Sequence, residues 1–560
     1  MITNMGHDEM TVVDGGKPRG ALLVAGILVL SLVTAMCALS RESLENNECY
    51  VSVTAREMLQ NGNWIMPTFN GRTRLAKTPL SYWLVANVAR FTGRVDEFAT
   101  RLPSAVFAVF SVCAILYFVR QWLSLRVAIV CAGVWLTSLC YIRYSHTARA
   151  DMSVTFFITL CFLSFYSAIT ACSRKSQIVY MLVFWVSFGL GNLAKGPMPV
   201  PFIVIGLFLY ITISRRWGQA SKMLPILGPL IFLAIMLPWP LAVAHKVNWD
   251  ITVWKREFID RFTGERTSLP KPFYFYLPQV FLFILPWAAF VPMAIAAPWN
   301  RCLGEKKPIM QYLWVVFISG FVFLTLSAGK RQNYLVPLMP IMAIMTGIIV
   351  EGAIFGRKLF VGRQAKCLLA GHIAAAFVLS IGLVGYCFWR WRQFLPAAGV
   401  TAGIIVVMAI AAGVLFSRGR PGLACGGIFT GLVAVIVVIF VGFVNPLDNY
   451  GPSKRFGIAV AKMVPTTDKL VSYNEVSPKF INYVGRIVPE VETESEVGNL
   501  YQEGCWIVAF GENIDVLQKT GRYQLVYIEE GADRFKTKPI AGGLFQKQSR
   551  VVESAAGPSF

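Results

Sequence analysis

The sequence predicts a polytopic α-helical membrane protein of about 13 transmembrane helices, with a small C-terminal α/β domain outside the membrane. Three observations carry this. Of 560 residues, 56% are hydrophobic and only 15% charged, whereas soluble domains are about half apolar and roughly a quarter charged. The apolar residues are gathered into blocks near the ~20 residues that a helix needs to cross a bilayer. Residues 445–560 then change character, with short β-rich runs in place of long apolar blocks.

The first block, Gly20–Ser40 (GALLVAGILVLSLVTAMCALS), is followed by a charged stretch without a small-residue cleavage site. It reads as a retained first span behind a tail at 1–19. Twelve further apolar segments follow at 103–121, 126–143, 152–171, 178–193, 198–213, 223–244, 276–297, 309–327, 334–352, 367–388, 395–416 and 422–444. Basic residues collect in alternate connections: Lys17 and Arg19, Arg120 and Arg126, Arg174 and Lys175. They continue with Arg215, Arg216 and Lys222, Arg301, Lys306 and Lys307, Arg357, Lys358, Arg363 and Lys366, and finally Arg418 and Arg420. The positive-inside rule makes that side cytoplasmic. The N-terminus is then inside, and an odd number of spans places 445–560 outside. The membrane unit at 20–444 includes two long outer connections, 41–102 and 245–275. In the first, LSYWLVANVARF (Leu80–Phe91) has the pattern of an interfacial helix. Loops of this length in a helical bundle are usually functional.

In the C-terminal domain, Lys469–Val476, Cys505–Gly511 and Gln524–Glu530 read as strands separated by helical stretches. No phosphate-binding glycine motif accompanies them, so a nucleotide site is unsupported. The twelve cysteines are scattered, mostly within apolar spans, and form no metal or disulfide pattern. The net charge of +22 reflects cytoplasmic loops and not a nucleic-acid surface, because no basic soluble domain is present to receive a duplex.

Charge within a span costs about 2.5–3.5 kcal/mol at its centre, and nearly all ionisable groups avoid span centres. At the outer ends they cluster instead: Glu42, Glu45, Glu48, Arg56 and Glu57; Arg72, Arg74 and Lys77; Arg143, His146, Arg149 and Asp151; Lys195; Lys255–Arg261; Lys330 and Arg331. Any one such charge is ordinarily a solvated helix cap. Their convergence beside apolar surface suits a site that holds a lipid phosphate and handles a sugar. Cations stabilise a departing phosphate, and a carboxylate can accept the proton of a hydroxyl acceptor.

At these residues the chain resembles the lipid A aminoarabinose transferases, relatives of the protein O-mannosyltransferases among the GT-C membrane glycosyltransferases. The blocks that carry the resemblance are Glu48–Leu84, TARADMSVTFF (Thr147–Phe157), NLAKGP (Asn192–Pro197), Pro272–Trp287 and GKRQNYLVPLMP (Gly329–Pro340). They occur in family order, and Lys469–Glu492 resembles the family's outer C-terminal domain. The resemblance implies a GT-C fold in a bacterial inner membrane. It also implies transfer of a sugar from a polyprenyl-phosphate donor to a glycolipid, polysaccharide or protein acceptor. A lipid A-like glycolipid is the nearest match.

Two departures bear on the chemistry. The family's first-loop Asp-Glu pair reads Asn47-Glu48 here, and its Glu-Lys-Pro-Pro reads Ala76-Lys77-Thr78-Pro79. No cofactor is firmly implied, and the loss of both carboxylates weakens the case for a divalent metal. Three readings of the missing Asp stay open: Glu48 serves as base, the acceptor is an already ionised phosphate, or the chain is a divergent paralogue of altered activity. The resemblance places Glu48 and Asp151 as the remaining acidic pair on the acceptor side, near Asn47 and Arg56. It places Lys77, Arg149, Lys195, Lys330 and Arg331 toward the donor phosphate. The alternative from another class is a transporter or flippase of a lipid-linked substrate. It would call for inverted repeats and polar groups at mid-membrane, and the sequence shows no internal repeat.

Overall fold

The computed structural model describes residues 17–248, 252–255, 271–355, 362–444, 452–493, 496, 505–529 and 542–547. Outside these lie most of the N-terminal tail, the Lys255–Arg261 cluster apart from Lys255, and Arg357 and Lys358. The chain divides into two compact units. The first comprises Met1–Leu39, Leu75–Phe91 and Arg101–Phe443, and the second Ser40–Arg74, Thr92–Thr100 and Val444–Phe560. The long connection at 41–102 therefore contributes to both.

The first unit is helical. Among the described residues, eight helices are long and apolar enough to cross a membrane, or up to ten if two bent pairs each count as one span. The chain is thus a multi-pass membrane protein. All thirteen apolar segments contain helix, but not all form one uninterrupted span. The segment at 223–244 breaks between Leu227–Met236 and Pro238–Lys246, where Pro238 removes a helical amide and favours a new helix start. The segment at 126–143 bends by 61° between Leu125–Leu136 and Leu139–Ser145. No proline is needed there. Thr137 Oγ1 donates to the Gly133 carbonyl at 2.6 Å, Ser138 Oγ accepts from the Tyr141 amide at 3.2 Å, and the Leu139 amide donates to Leu285 at 3.0 Å. Side chains and a distant carbonyl have replaced the local helical ladder.

Two helices form the centre of this unit. The spanning windows of Ala150–Thr170 and Gln332–Phe355 are 89% and 83% buried, against 17% for both Arg392–Ser417 and Pro421–Val444. Close approach depends on small residues. A Cβ at Gly347 would lie 2.6 Å from the Cys131 Cα, so only glycine lets Met339–Phe355 cross Leu125–Leu136 there. Buried polar groups are joined across the unit, with Tyr312 OH donating to the Phe162 carbonyl at 2.7 Å and Trp135 Nε1 to Ser111 Oγ at 2.7 Å.

The second unit contains an antiparallel ribbon, β1 (Thr68–Phe69) with β2 (Arg72–Thr73). Its main sheet consists of β3 (Leu470–Tyr473), β4 (Glu490–Val491), β5 (Trp506–Phe510), β6 (Tyr523–Glu529) and β7 (Gly542–Lys547) in the order β4-β3-β5-β7-β6. β3 is parallel to β4 and β5, whereas β7 is antiparallel to β5 and β6. Helices Pro452–Met463 and Pro478–Val484 cover the sheet through Phe456, Val460, Phe480 and Val484, buried with Val508 and Leu544. Val53 of helix Asn46–Asn61 joins the same core, so the connection at 41–102 supplies part of the small domain's interior.

Candidate functional site

Asp151 is the centre of the polar interior of the helical unit. It lies in the first turn of Ala150–Thr170 and is 2% exposed. The exposed amides of that helix start favour its negative charge. Its Oδ1 accepts from Lys195 Nζ and, at 3.0 Å, from Asn333 Nδ2. Oδ2 is buried and has no hydrogen-bond partner among the described residues. Lys195 ends the Arg174–Lys195 helix, where a cation complements the C-terminal carbonyls. Its Nζ stands 5.6 Å from the Tyr334 ring centroid. Asn333 and Tyr334 belong to the short 3-10 turn Gln332–Tyr334 that precedes the second central helix.

Cations surround this knot in the chain. Arg149 is the N-cap residue of the Asp151 helix and acts electrostatically on Asp151, while its carbonyl accepts from Ser104 Oγ at 3.4 Å. Lys330 is buried, with Nζ donating to the Ser327 carbonyl at 2.7 Å. Arg331 is exposed, and its backbone amide donates to Tyr276 OH at 3.2 Å. Arg143 Nη1 reaches Gln332 Oε1 at 3.4 Å. Lys77 is exposed just before helix Leu80–Thr92, and Trp254 Nε1 donates to the nearby Leu75 carbonyl at 3.1 Å. The structure thus joins Asp151 directly to Lys195 and places Lys330 and Arg331 in the segment that also supplies Asn333.

Glu48, Asn47 and Arg56 belong to the other unit. Glu48 is 1% exposed, and its Oε2 accepts the Glu45 amide at 2.9 Å in a reciprocal capping box at the start of Asn46–Asn61. Asn47 is exposed. Arg56 donates to the carbonyls of Asn482 and Ile481 at 2.8 and 3.1 Å, satisfying the end of helix Pro478–Val484. Burial lowers the Arg56 guanidinium from its ordinary value. Glu57 Oε2 accepts from Thr68 Oγ1 at 2.6 Å and from the Gly71 amide at 3.3 Å, which anchors the β1–β2 ribbon. Sequence reasoning missed Asn333 and Tyr334. Their signal was position alone, two and three residues after the Lys330-Arg331 pair in GKRQNYLVP.

Among the described residues, no three His, Cys, Asp or Glu side chains form a group able to hold a metal ion. Asn47 and Ala76 offer no carboxylate, and both donors to Asp151 occupy the same oxygen.

Residues 76–241 match the family described as dolichyl-phosphate-mannose-protein mannosyltransferase. The undecaprenyl phosphate-alpha-4-amino-4-deoxy-L-arabinose arabinosyl transferase of Pseudomonas paraeruginosa is 29% identical over 301 residues, spanning 53% of this chain and 54% of that relative. Arabinosyl transferase 2 of the same description from Proteus mirabilis is 26% identical over 389 residues, spanning 68% of this chain and 69% of the relative. The chain therefore spans about half the length of the first relative and about two thirds of the second. The crystal structure of ArnT from Cupriavidus metallidurans bound to undecaprenyl phosphate superposes with a TM-score of 0.79 at 18% identity, covering 97% of this chain and 100% of that one. The chain is a multi-pass membrane protein of the GT-C fold, related to the lipid A aminoarabinose transferases and the protein O-mannosyltransferases.

Proposed function

We propose that this protein transfers a sugar from a polyprenyl-phosphate donor to an acceptor at the periplasmic face of a bacterial inner membrane, a lipid A-like glycolipid being the acceptor closest to its relatives' chemistry. The observation that carries the reading is the buried Asp151–Lys195–Asn333 knot among a surplus of cations. The undecaprenyl-phosphate sugar named for its relatives and the undecaprenyl phosphate bound by ArnT agree with it.

The reaction breaks the bond between the anomeric carbon and the donor phosphate oxygen while an acceptor oxygen bonds to that carbon. Negative charge grows on the departing phosphate. Lys77, Arg149, Lys195, Lys330 and Arg331 supply the positive groups to stabilise it. Asp151 holds Lys195 through one oxygen, which orients the ammonium in advance of reaction. Its other oxygen is buried and has no hydrogen-bond partner among the described residues, which leaves it the capacity to accept a proton, so Asp151 is our choice for the group that receives the acceptor proton. Glu48 then serves the helix start that it caps, and the donor set at Asn47 and Ala76 does not favour a divalent metal. No step is routed through one. In this reading the N-terminus is cytoplasmic, and the 445–560 domain and connections 41–102 and 245–275 are periplasmic.

The test is transfer by purified, lipid-reconstituted protein offered undecaprenyl-phosphate sugars with lipid A or total membrane glycolipid. We expect transfer by the unaltered protein and a loss on the order of 10²-fold or more in Asp151→Asn. Tight donor binding without transfer to any acceptor, or movement of intact donor across the bilayer, would instead favour a lipid-linked transporter.

A further inference from the structure

Away from the Asp151 site, helices Gly362–Arg390 and Leu395–Ser417 enclose a groove of about 860 Å³. Ser380, Val384 and Phe388 line one wall at one-turn spacing, while Gly399, Gly403 and Val406 line the other. A Cβ on Gly399 or Gly403 would meet no atom within 4 Å. These glycines leave open volume where a larger residue would project into it.

One end of the groove is chemically distinct. Phe388 carries the Arg392 guanidinium 5.3 Å from its ring centroid. Arg390 is exposed two residues before Arg392, and Trp389 and Trp391 are exposed beside them. Aromatic and basic residues together mark the level of lipid headgroups. The sequence contains no Asp or Glu between Gly362 and Val444, so the positive end has no carboxylate in either groove helix. The apolar wall from Ser380 to Phe388 rises about 12 Å, close to the ~15 Å of one leaflet in a ~30 Å hydrocarbon core. A chain confined to one leaflet fits that span, while a much longer polyprenyl chain does not.

We propose that this groove is a binding site for an anionic glycerophospholipid, with an acyl chain against the glycine-lined wall and the phosphate headgroup at Arg392, Arg390 adding positive charge at the same end of the helix. Basic pockets between transmembrane helices select anionic headgroups through this combination of charge and apolar contact. The site is independent of the transfer reaction, so its test stands apart from the activity assay.

The test is native mass spectrometry of the full chain in detergent, titrated with phosphatidylglycerol or phosphatidylcholine of matched acyl chains. We expect the unaltered protein to prefer phosphatidylglycerol roughly thirtyfold, as two cations at the headgroup level would give. The doubly substituted Arg390→Gln, Arg392→Gln protein should retain bound lipid but lose the preference. The Gly399→Leu, Gly403→Leu protein should lose bound lipid of both kinds. Equal binding of the two lipids by the unaltered protein would overturn the proposal, as would an undiminished preference in the arginine variant. Stronger binding of undecaprenyl phosphate than of phosphatidylglycerol would also overturn it. If the leucine variant fails to elute as one species, the exposed arginine pair still decides the matter.

Discussion

At the scale of single residues, two buried carboxylates illustrate how the same chemistry serves different ends. Glu48 has a backbone amide from its own helix start on Oε2, whereas Asp151 receives donors from two distant segments on one oxygen and leaves the other buried and unpartnered among the described residues. Glutamine retains a carbonyl oxygen that can accept the Glu45 amide. Glu48→Gln should therefore keep transfer within a few-fold of the unaltered protein and shift the thermal midpoint little. Loss of transfer in that variant, with a normal melt, would return the base to Glu48. Asn333→Ala should lower turnover more than donor affinity, because Asn333 positions Asp151 and does not itself reach toward phosphate in this reading. The measurement is kcat against KM for the donor. Lys195→Gln should weaken donor binding and turnover together.

At the scale of elements, the Asn46–Asn61 helix depends on contacts from segments far away in the chain. Tyr483 OH accepts the Leu44 amide at 2.8 Å and donates to Glu97 Oε1 at 3.0 Å, which also pairs with Lys454 at 2.9 Å. Three separate stretches of the second unit meet at this phenol. Burial, with the Glu97 charge adding to it, raises the Tyr483 pKa well above its ordinary value. The phenol's contribution is therefore complete below the unfolded value of about 10 and is lost only as pH rises beyond it. Tyr483→Phe leaves the Leu44 amide and Glu97 without this partner, and should cost about 1–3 kcal/mol. Denaturant or thermal unfolding of the full chain between pH 7 and 9 would measure a deficit that stays constant with pH.

At the scale of the whole molecule, charge distribution and helix packing act on different problems. In the proposed orientation the basic connections set the sidedness of the chain, while small residues and paired polar groups let its helices approach. The proposed orientation, with Lys17 cytoplasmic and 445–560 periplasmic, predicts that cysteines introduced in exposed β6 positions such as Ile528 react with a membrane-impermeant thiol reagent added to intact spheroplasts. Cysteines introduced at Lys175 should react only after lysis. The reverse pattern would overturn the orientation. Packing is demanding at Gly347, where valine would be forced into the Cys131 backbone. Gly347→Val should lower the yield of folded protein sharply even though it makes the segment more apolar.

The apolar blocks, the basic connections, the strands β3, β5 and β6 and the residue types of the Asp151 and Lys195 segments were legible in the amino-acid order. Each is a local signal: a bilayer selects length and hydrophobicity, and a strand or helix start draws on neighbours a few residues away. β4 was too short to stand out, and β7 is weakened as a pattern by Gly542 and Gly543. The breaks at 137–138 and 237 required the local ladder to be seen competing with proline and with distant acceptors. Long-range closure decided the rest. It joined Asn333 to Asp151 across 182 residues and Arg56 to Asn482 across 426, giving one charged cluster a carboxylate with one oxygen unpartnered among the described residues and committing the other to helix ends. Hydropathy selects where a segment goes, but a buried polar atom takes whichever partner the folded chain brings within hydrogen-bonding distance.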